Sequence, residues 1–124
     1  MKKEFLNKAG ENLKTAQMSF ENNCYNACAN RAYFAAFQAA IAALSFCGIE
    51  SEKNEHAWVQ SEFSLRLIRR QKVYPDRIKS YLPDMQESKN KADYSEKDIG
   101  KKVAYRQLLR ASEMIALIEK ELNK

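Results

Sequence analysis

The chain has 124 residues, of which 45% are hydrophobic and 30% charged, and its formal net charge is +5. This length suits one ordinary domain, placed at residues 1–124, and the composition excludes an intrinsically disordered chain. Only 3 Gly and 2 Pro interrupt a chain rich in helix-forming residues, which predicts an all-α fold.

Two helices are predicted in the first part of the chain. Apolar residues recur at helical spacing over residues 2–21, and a second helix over residues 24–47 has Asn23 as its expected N-cap and Gly48 as its C′ residue. From Ala32 onward this helix is apolar on nearly every face, so it must be covered on most sides. We expect part of it to meet a second copy of the chain; the alternative is a central helix covered within the monomer.

Three more helices complete the predicted fold. The pattern predicts helices over residues 54–70, 76–91 and 101–122, with Pro83 shortening or bending the second of these and a loop over residues 92–100. Together the elements predict an antiparallel four- to five-helix up-and-down bundle.

The N-terminus and the cysteines bear on location. Residues 1–5 lack the apolar run of a secretory signal, and the longest apolar stretch, residues 32–47, is shorter than a membrane span. Three cysteines without a signal favour free thiols. We therefore expect a cytoplasmic protein that makes no membrane contact.

Potential metal ligands are few. Cys24 and Cys28 share a helical face, but Cys47 lies too far along the same helix to join them, and His56 is the single histidine. A zinc site needs about four ligands, so we expect small buried thiols, no metal and no cofactor. For His56 we expect a structural role, with the imidazole bonded to a neighbouring backbone or helix.

A basic segment with Tyr74 and Tyr81 interleaved follows the third helix. Such a surface could track a nucleic-acid backbone with bases stacked on the rings, or it could be a solvated face, which is the more common case. A net charge of +5 is compatible with RNA as a partner and does not require it. The residues of this basic patch are Arg66, Arg69, Arg70, Lys72, Arg77 and Lys79.

Two motifs carry a family resemblance. The run N-x-x-A-x-R-A-Y-F-A-A-F extends from Asn26 to Phe37, and K-x-x-A-D-Y extends from Lys89 to Tyr94, with His56 between them. This order resembles the HEPN domain (higher-eukaryote and prokaryote nucleotide-binding), in its small stand-alone bacterial and archaeal branch, over nearly the whole chain.

The resemblance implies a helical bundle that dimerises and works in toxin–antitoxin or antiviral defence modules. Stand-alone members are often encoded beside a small nucleotidyltransferase that binds or modifies them. Active members are metal-independent ribonucleases whose motif, an arginine followed after four to six residues by a histidine, lies at the dimer cleft. The resemblance thus places a binding cleft at Arg31, Tyr33, Lys89, Asp93 and Tyr94.

The chain departs from the ribonuclease motif at both positions. Lys89 replaces the arginine and keeps its charge but loses the bidentate fork, and Tyr94 replaces the histidine. A tyrosine, with a pKa near 10, is a poor base at neutral pH. We expect Arg31 and Asp93 to pair inside the bundle, Asp93 to cap the turn, and the Tyr94 ring either to pack or to serve as a surface site of nucleotidylation.

Three functions remain open. The leading hypothesis is a homodimeric HEPN-like component of a toxin–antitoxin or defence module that binds a nucleotidyltransferase-type partner, RNA, or both, with the ribonuclease motif degraded. The second is a metal-independent ribonuclease toxin using Lys89 and Tyr94, with Arg31 or His56. The third is a non-catalytic structural subunit of a larger assembly.

Overall fold

The computed structural model describes the backbone of residues 2–124 and the side chains from Lys3 onward, so Met1 of the predicted domain lies outside the described residues. Within this part of the chain the regular structure is entirely helical, which confirms the predicted all-α bundle. The α-helices are α1 (Lys2–Glu21), α2 (Tyr25–Phe46), α3 (His56–Glu62), α4 (Tyr81–Tyr94) and α5 (Lys101–Leu122).

Helix α2 is the centre of the bundle. Helices α1, α4 and α5 pack around it, and between residues 32 and 44 every residue except Phe34 and Gln38 is buried. Alanines let neighbouring backbones approach closely; Ala9 and Ala16 of α1 are themselves completely buried. One chain therefore covers most of its own apolar helix, as the alternative of a central helix predicted, and a second copy is not required for this purpose.

The two ends of α2 differ in how well the sequence predicted them. Asn23 is not the N-cap: its φ of 61° places it in the left-handed turn between α1 and α2, and Cys24 takes the cap position without a side-chain cap bond. Gly48 has the expected left-handed conformation, with φ 75°. The Ile49 N–H donates to the Leu44 carbonyl at 2.9 Å, which closes the helix as a C′ glycine does.

The predicted third helix is shorter and changes its winding. It begins at His56 because Asn54, with φ 46°, is in a left-handed conformation. After α3 the chain continues as a π-helix over Phe63–Arg70. The Val73 N–H then donates to the Leu67 carbonyl at 2.8 Å across Lys72, whose φ is 52°. No feature of the apolar pattern distinguishes a π-helix from an α-helix over so short a segment.

The predicted fourth helix is divided into a 3₁₀ turn over Asp76–Ile78 and α4, Tyr81–Tyr94. Pro83 is the third residue of α4, where the N–H has no partner within the helix, so it neither bends nor interrupts α4. Helix α4 also runs three residues past the predicted end. Asp93 and Tyr94 consequently lie on a helix, one turn from Lys89, and not in a loop.

None of the helices formed by residues 2–124 is long and apolar enough to cross a membrane.

Candidate functional site

The half-buried ring of Phe34 on α2 brings together residues from three helices. The Arg31 guanidinium carbon lies 5.2 Å and the Lys89 Nζ 5.4 Å from its centroid, and the His56 ring centroid lies 5.9 Å away. The quadrupole of the Phe34 ring attracts both of these cations. The group is called here the Phe34 cluster and also includes Asn12 of α1, which bonds to Arg31. Its members are Asn12, Asn30, Arg31, Phe34, His56, Lys89, Asp93 and Tyr94.

Asn30 joins the acidic and basic sides of the Phe34 cluster. Its Nδ2 donates to both Asp93 carboxylate oxygens at 3.1 Å, and its Oδ1 accepts from Arg31 Nε at 2.8 Å. The expected direct pair between Arg31 and Asp93 is therefore wrong. Arg31 is held by Asn30 and by Asn12, whose Oδ1 accepts at 3.1 Å, so its charge has no direct carboxylate partner among residues 2–124.

Asp93 and Tyr94 do not play the local roles expected of them. Because α4 continues to Tyr94, Asp93 sits one turn after Lys89 and accepts from its Nζ at 2.8 Å, while Ser95 takes the C-cap position. The Tyr94 ring is 79% exposed, with the Lys89 Nζ 5.6 Å from its centroid, so it is not a packed ring. The cluster therefore presents an exposed aromatic ring beside the Lys89 cation.

The single histidine is held by a chain of hydrogen bonds. The Tyr33 Oη lies 2.6 Å from His56 Nδ1, and the Gln60 amide donates to the same Oη at 3.1 Å and to Gln86 Oε1 at 2.8 Å. Because Tyr33 already accepts from Gln60, the pattern is satisfied when Tyr33 donates its proton to Nδ1. A neutral His56 then carries its own proton on Nε2.

The surroundings of His56 favour this neutral form. Burial lowers the pKa of the imidazole, and the nearby positive charge of Lys89 lowers it further. The ring stacks on Phe37 with centroids 4.3 Å apart. Burial raises the pKa of Tyr33 to about 12, so its hydroxyl keeps its proton at neutral pH. His56 can therefore offer an N–H from Nε2, while its Nδ1 lone pair is already occupied.

The structure brings together four of the five residues placed in the predicted cleft, namely Arg31, Lys89, Asp93 and Tyr94. Tyr33 is different, because it is completely buried behind His56 and can act on a bound molecule only through that imidazole. Sequence reasoning did not place Asn30 or Phe34 in the cleft, and it considered His56 only for the ribonuclease alternative. Asn30 and Phe34 could have been predicted as neighbours of Arg31, since the three residues share one face of a helix.

The basic patch is divided by ion pairs. Arg77 is paired with Glu113, Arg66 with Glu62 at 3.6 Å, and Lys79 with Asp76 at 3.3 Å. The cations left exposed without a carboxylate partner in the described chain are Arg69, Arg70 and Lys72.

The two tyrosines of the basic patch are not available for base stacking. Tyr74 is 4% exposed and stacks on Phe63, with centroids 5.4 Å apart. Tyr81 is half-buried and donates from its Oη to Glu113 at 2.6 Å. Both rings are used by the core and by the contact with α5, so any RNA contact of this patch would rest on charge alone.

The cysteines are free thiols; Cys28 is buried, but Cys24 and Cys47 are exposed, so the expectation of buried thiols was wrong for these two. Burial raises the pKa of Cys28 to about 11, which keeps it protonated, and its Sγ lies 3.7 Å from the Ala104 carbonyl oxygen. Among the described residues no three His, Cys, Asp or Glu side chains converge as metal ligands would.

These features define a helical-bundle protein with a cationic, aromatic cluster where α2, α3 and α4 meet. The HEPN domain profile matches residues 3–122, so the chain belongs to the HEPN domain family. HEPN domains are generally associated with ribonuclease toxin or defence roles, and they often dimerise. Comparison with curated protein sequences gave no match.

Proposed function

We propose that this HEPN protein is a subunit of a toxin–antitoxin or defence module that binds single-stranded RNA at the Phe34 cluster without cleaving it. One observation carries the proposal: the cluster joins two cations and an exposed ring to a histidine whose Nδ1 lone pair is occupied by Tyr33. This arrangement has groups that bind a phosphate and a base, and it lacks a free general base.

The binding chemistry follows from the contacts. Arg31 has no carboxylate partner, and its remaining N–H groups suit a phosphate oxygen. The His56 Nε2–H adds a neutral donor on the same cluster, since the His56 ring centroid lies 5.9 Å from that of Phe34. The exposed face of Tyr94 suits a stacked base, as in other surfaces that bind single strands.

Cleavage would need more than this. Attack by the 2′-hydroxyl of RNA requires a base of near-neutral pKa at that hydroxyl. Lys89 is engaged with Asp93, and Tyr94 is a poor base in water. His56 presents a proton from Nε2 in place of a lone pair.

The partners are proposed from the family. We propose that the protein acts in the cytoplasm as a homodimer with the Phe34 cluster at the dimer cleft, and that a nucleotidyltransferase-type protein is its cognate partner. The exposure of Tyr94 supports a contact surface at this position. Sedimentation equilibrium at micromolar concentration tests the dimer, and a monomer there would contradict it.

The test of RNA binding combines two assays on one set of proteins. Fluorescence anisotropy with a labelled, unstructured 12-nucleotide RNA measures binding, and gel analysis of the same RNA in excess EDTA measures cleavage. We expect the parent to bind and leave the RNA intact, and Arg31→Gln and Lys89→Ala to bind at least about tenfold more weakly. Lys91→Ala is the matched control, because Lys91 lies on the same helix, 65% exposed and paired with Glu87.

A second candidate function is a metal-independent ribonuclease that uses His56 with Lys89. The observation that favours it is their placement on the same Phe34 ring. Cleavage of the RNA by the parent in EDTA, lost in both His56→Ala and Lys89→Ala, would establish this function in place of binding alone.

The third function, a structural subunit without nucleic-acid contact, predicts that the parent binds no RNA even at low salt. The exposed part of the basic patch, Arg69, Arg70 and Lys72, remains a predicted RNA-facing surface. Its contribution is measured in the same anisotropy assay with Arg69→Gln/Arg70→Gln.

A further inference from the structure

A second aromatic and cationic surface lies between the end of α1 and the start of α5. The Phe20 ring lies 5.7 Å from Tyr25 and 5.6 Å from Tyr105, measured between centroids, and the Lys101 Nζ lies 6.0 Å from the Phe20 centroid. An open groove of about 490 Å³ is lined by Phe20, Lys101, Lys102 and Tyr105. None of these residues belongs to the Phe34 cluster or to the basic patch.

We propose that this aromatic groove is a second contact for single-stranded RNA, in which a base stacks on Tyr105 and Phe20 while Lys101 and Lys102 hold the flanking phosphates. Tyr105 is 49% exposed, so a face of its ring is open to a ligand. Both lysines are exposed and form no ion pair within the described chain. Aromatic faces alternating with unpaired cations suit a strand of bases and phosphates, whereas an apolar peptide would leave the lysines without counter-charges.

Tyr94 of the Phe34 cluster and Lys101 of the aromatic groove lie at the two ends of the connection between α4 and α5. Helix α4 ends at Tyr94 and α5 begins at Lys101, so the connection between them spans at most about 25 Å. Asn26 holds this connection on the start of α2: its Oδ1 accepts from the Ile99 N–H at 2.8 Å, and its Nδ2 donates to Asp98 at 2.9 Å. A strand of about 12 nucleotides, within the range of known single-strand sites, is long enough to reach both surfaces.

This inference rests on the proposed RNA binding at the Phe34 cluster, and the variants separate the two. Anisotropy titrations of the parent, Tyr105→Ala, Tyr105→Phe and Leu109→Ala use a 12-nucleotide and a 4-nucleotide RNA. Leu109 is the matched control, since it lies one turn further along α5 and is 51% exposed. We expect Tyr105→Ala to weaken 12-nucleotide binding about tenfold, and Tyr105→Phe and Leu109→Ala to bind like the parent.

Two further measurements identify the contact. The double variant Lys101→Gln/Lys102→Gln is expected to lower the salt dependence of binding by about 1.4 in log–log slope, because each phosphate contact to a single strand contributes about 0.7. Tyr105→Trp in a Trp58→Phe background supplies a fluorophore in the groove, and a stacked base should quench it. Unfolding curves verify that each variant is folded.

The outcomes are distinct. Weaker binding in Tyr105→Ala, with the advantage of 12 over 4 nucleotides lost, supports the groove. Unchanged binding in Tyr105→Ala while Lys89→Ala is impaired overturns the groove and leaves the proposed function standing. If Tyr105→Ala weakens RNA binding while Arg31→Gln and Lys89→Ala do not, the Phe34 cluster is overturned as the RNA site. If the parent binds no RNA, both proposals are overturned.

Discussion

The hydroxyl oxygen of Tyr33 and the Nδ1 of His56 lie 2.6 Å apart, which connects the buried core of α2 to the first residue of α3. Through Gln60 the same hydroxyl is connected to Gln86 on α4. These side-chain hydrogen bonds thus connect three helices next to the Phe34 cluster. The contact also selects the tautomer of the only histidine, and so determines what that imidazole can offer a ligand.

Removing the Tyr33 hydroxyl should destabilise the protein. Tyr33→Phe leaves Nδ1 of His56 and one amide proton of Gln60 without their partner in a region where Tyr33 is fully buried. We expect the free energy of unfolding to fall by about 1–3 kcal/mol, measured by urea denaturation. Tyr105→Phe is the control, because the Tyr105 side chain is 49% exposed and its hydroxyl bonds to none of the described residues; an equal loss of stability in both variants would contradict the role assigned to Tyr33.

The titration of His56 can be followed directly, because it gives the single imidazole signal in an NMR spectrum. Burial, with help from Lys89, should hold its pKa below the ordinary 6.5. Lys89→Gln removes a positive charge and should raise this pKa, whereas Lys91→Gln should leave it unchanged. A pKa at or above 6.5 in the parent would contradict the neutral imidazole.

The lowered pKa of His56 also makes the stability of the protein depend on pH. Between the folded pKa and 6.5, the unfolded chain binds more protons at His56 than the folded chain does. The contribution of His56 to the free energy of unfolding is therefore complete above pH 6.5, and it is lost as the pH falls through the pKa that His56 has in the folded chain. Urea midpoints from pH 7.5 down to about 5 should decrease more steeply for the parent than for Lys89→Gln.

Restoring the family motif should create an activity. Lys89→Arg/Tyr94→His puts a guanidinium and an imidazole one turn apart at the exposed end of α4, as the active members' pattern requires. We expect metal-independent cleavage of RNA in EDTA by this double variant and none by the parent. The variant Lys89→Arg alone should stay inactive, since it still lacks a base of near-neutral pKa; cleavage by that single variant would show that the base lies elsewhere.

The turn after the π-helix carries local strain at Lys72, whose φ is 52°. Glycine adopts this conformation freely, so Lys72→Gly should raise the free energy of unfolding by up to about 1 kcal/mol. Lys72→Ala removes the same charge but keeps the strain, and should give no such gain. Equal stabilisation by both would indicate that repulsion between cations, and not the backbone, is the cause.

Local patterns in the sequence determined the helices, the buried face of each and the left-handed Gly48, because these depend on neighbours a few residues apart. The resemblance to the HEPN motifs, and not local periodicity, suggested that Arg31, Lys89, Asp93 and Tyr94 share a cleft, and in the structure these four side chains lie around Phe34 and Lys89. The tertiary structure decided the rest: that α2 is covered within one chain, that Asn30 stands between Arg31 and Asp93, and that Tyr33 lies behind His56. The reason is physical: the contact of Asn30 with Asp93 joins residues 63 apart in the sequence and the contact of Tyr33 with His56 joins residues 23 apart, so both are set by how the helices pack, which no local periodicity encodes.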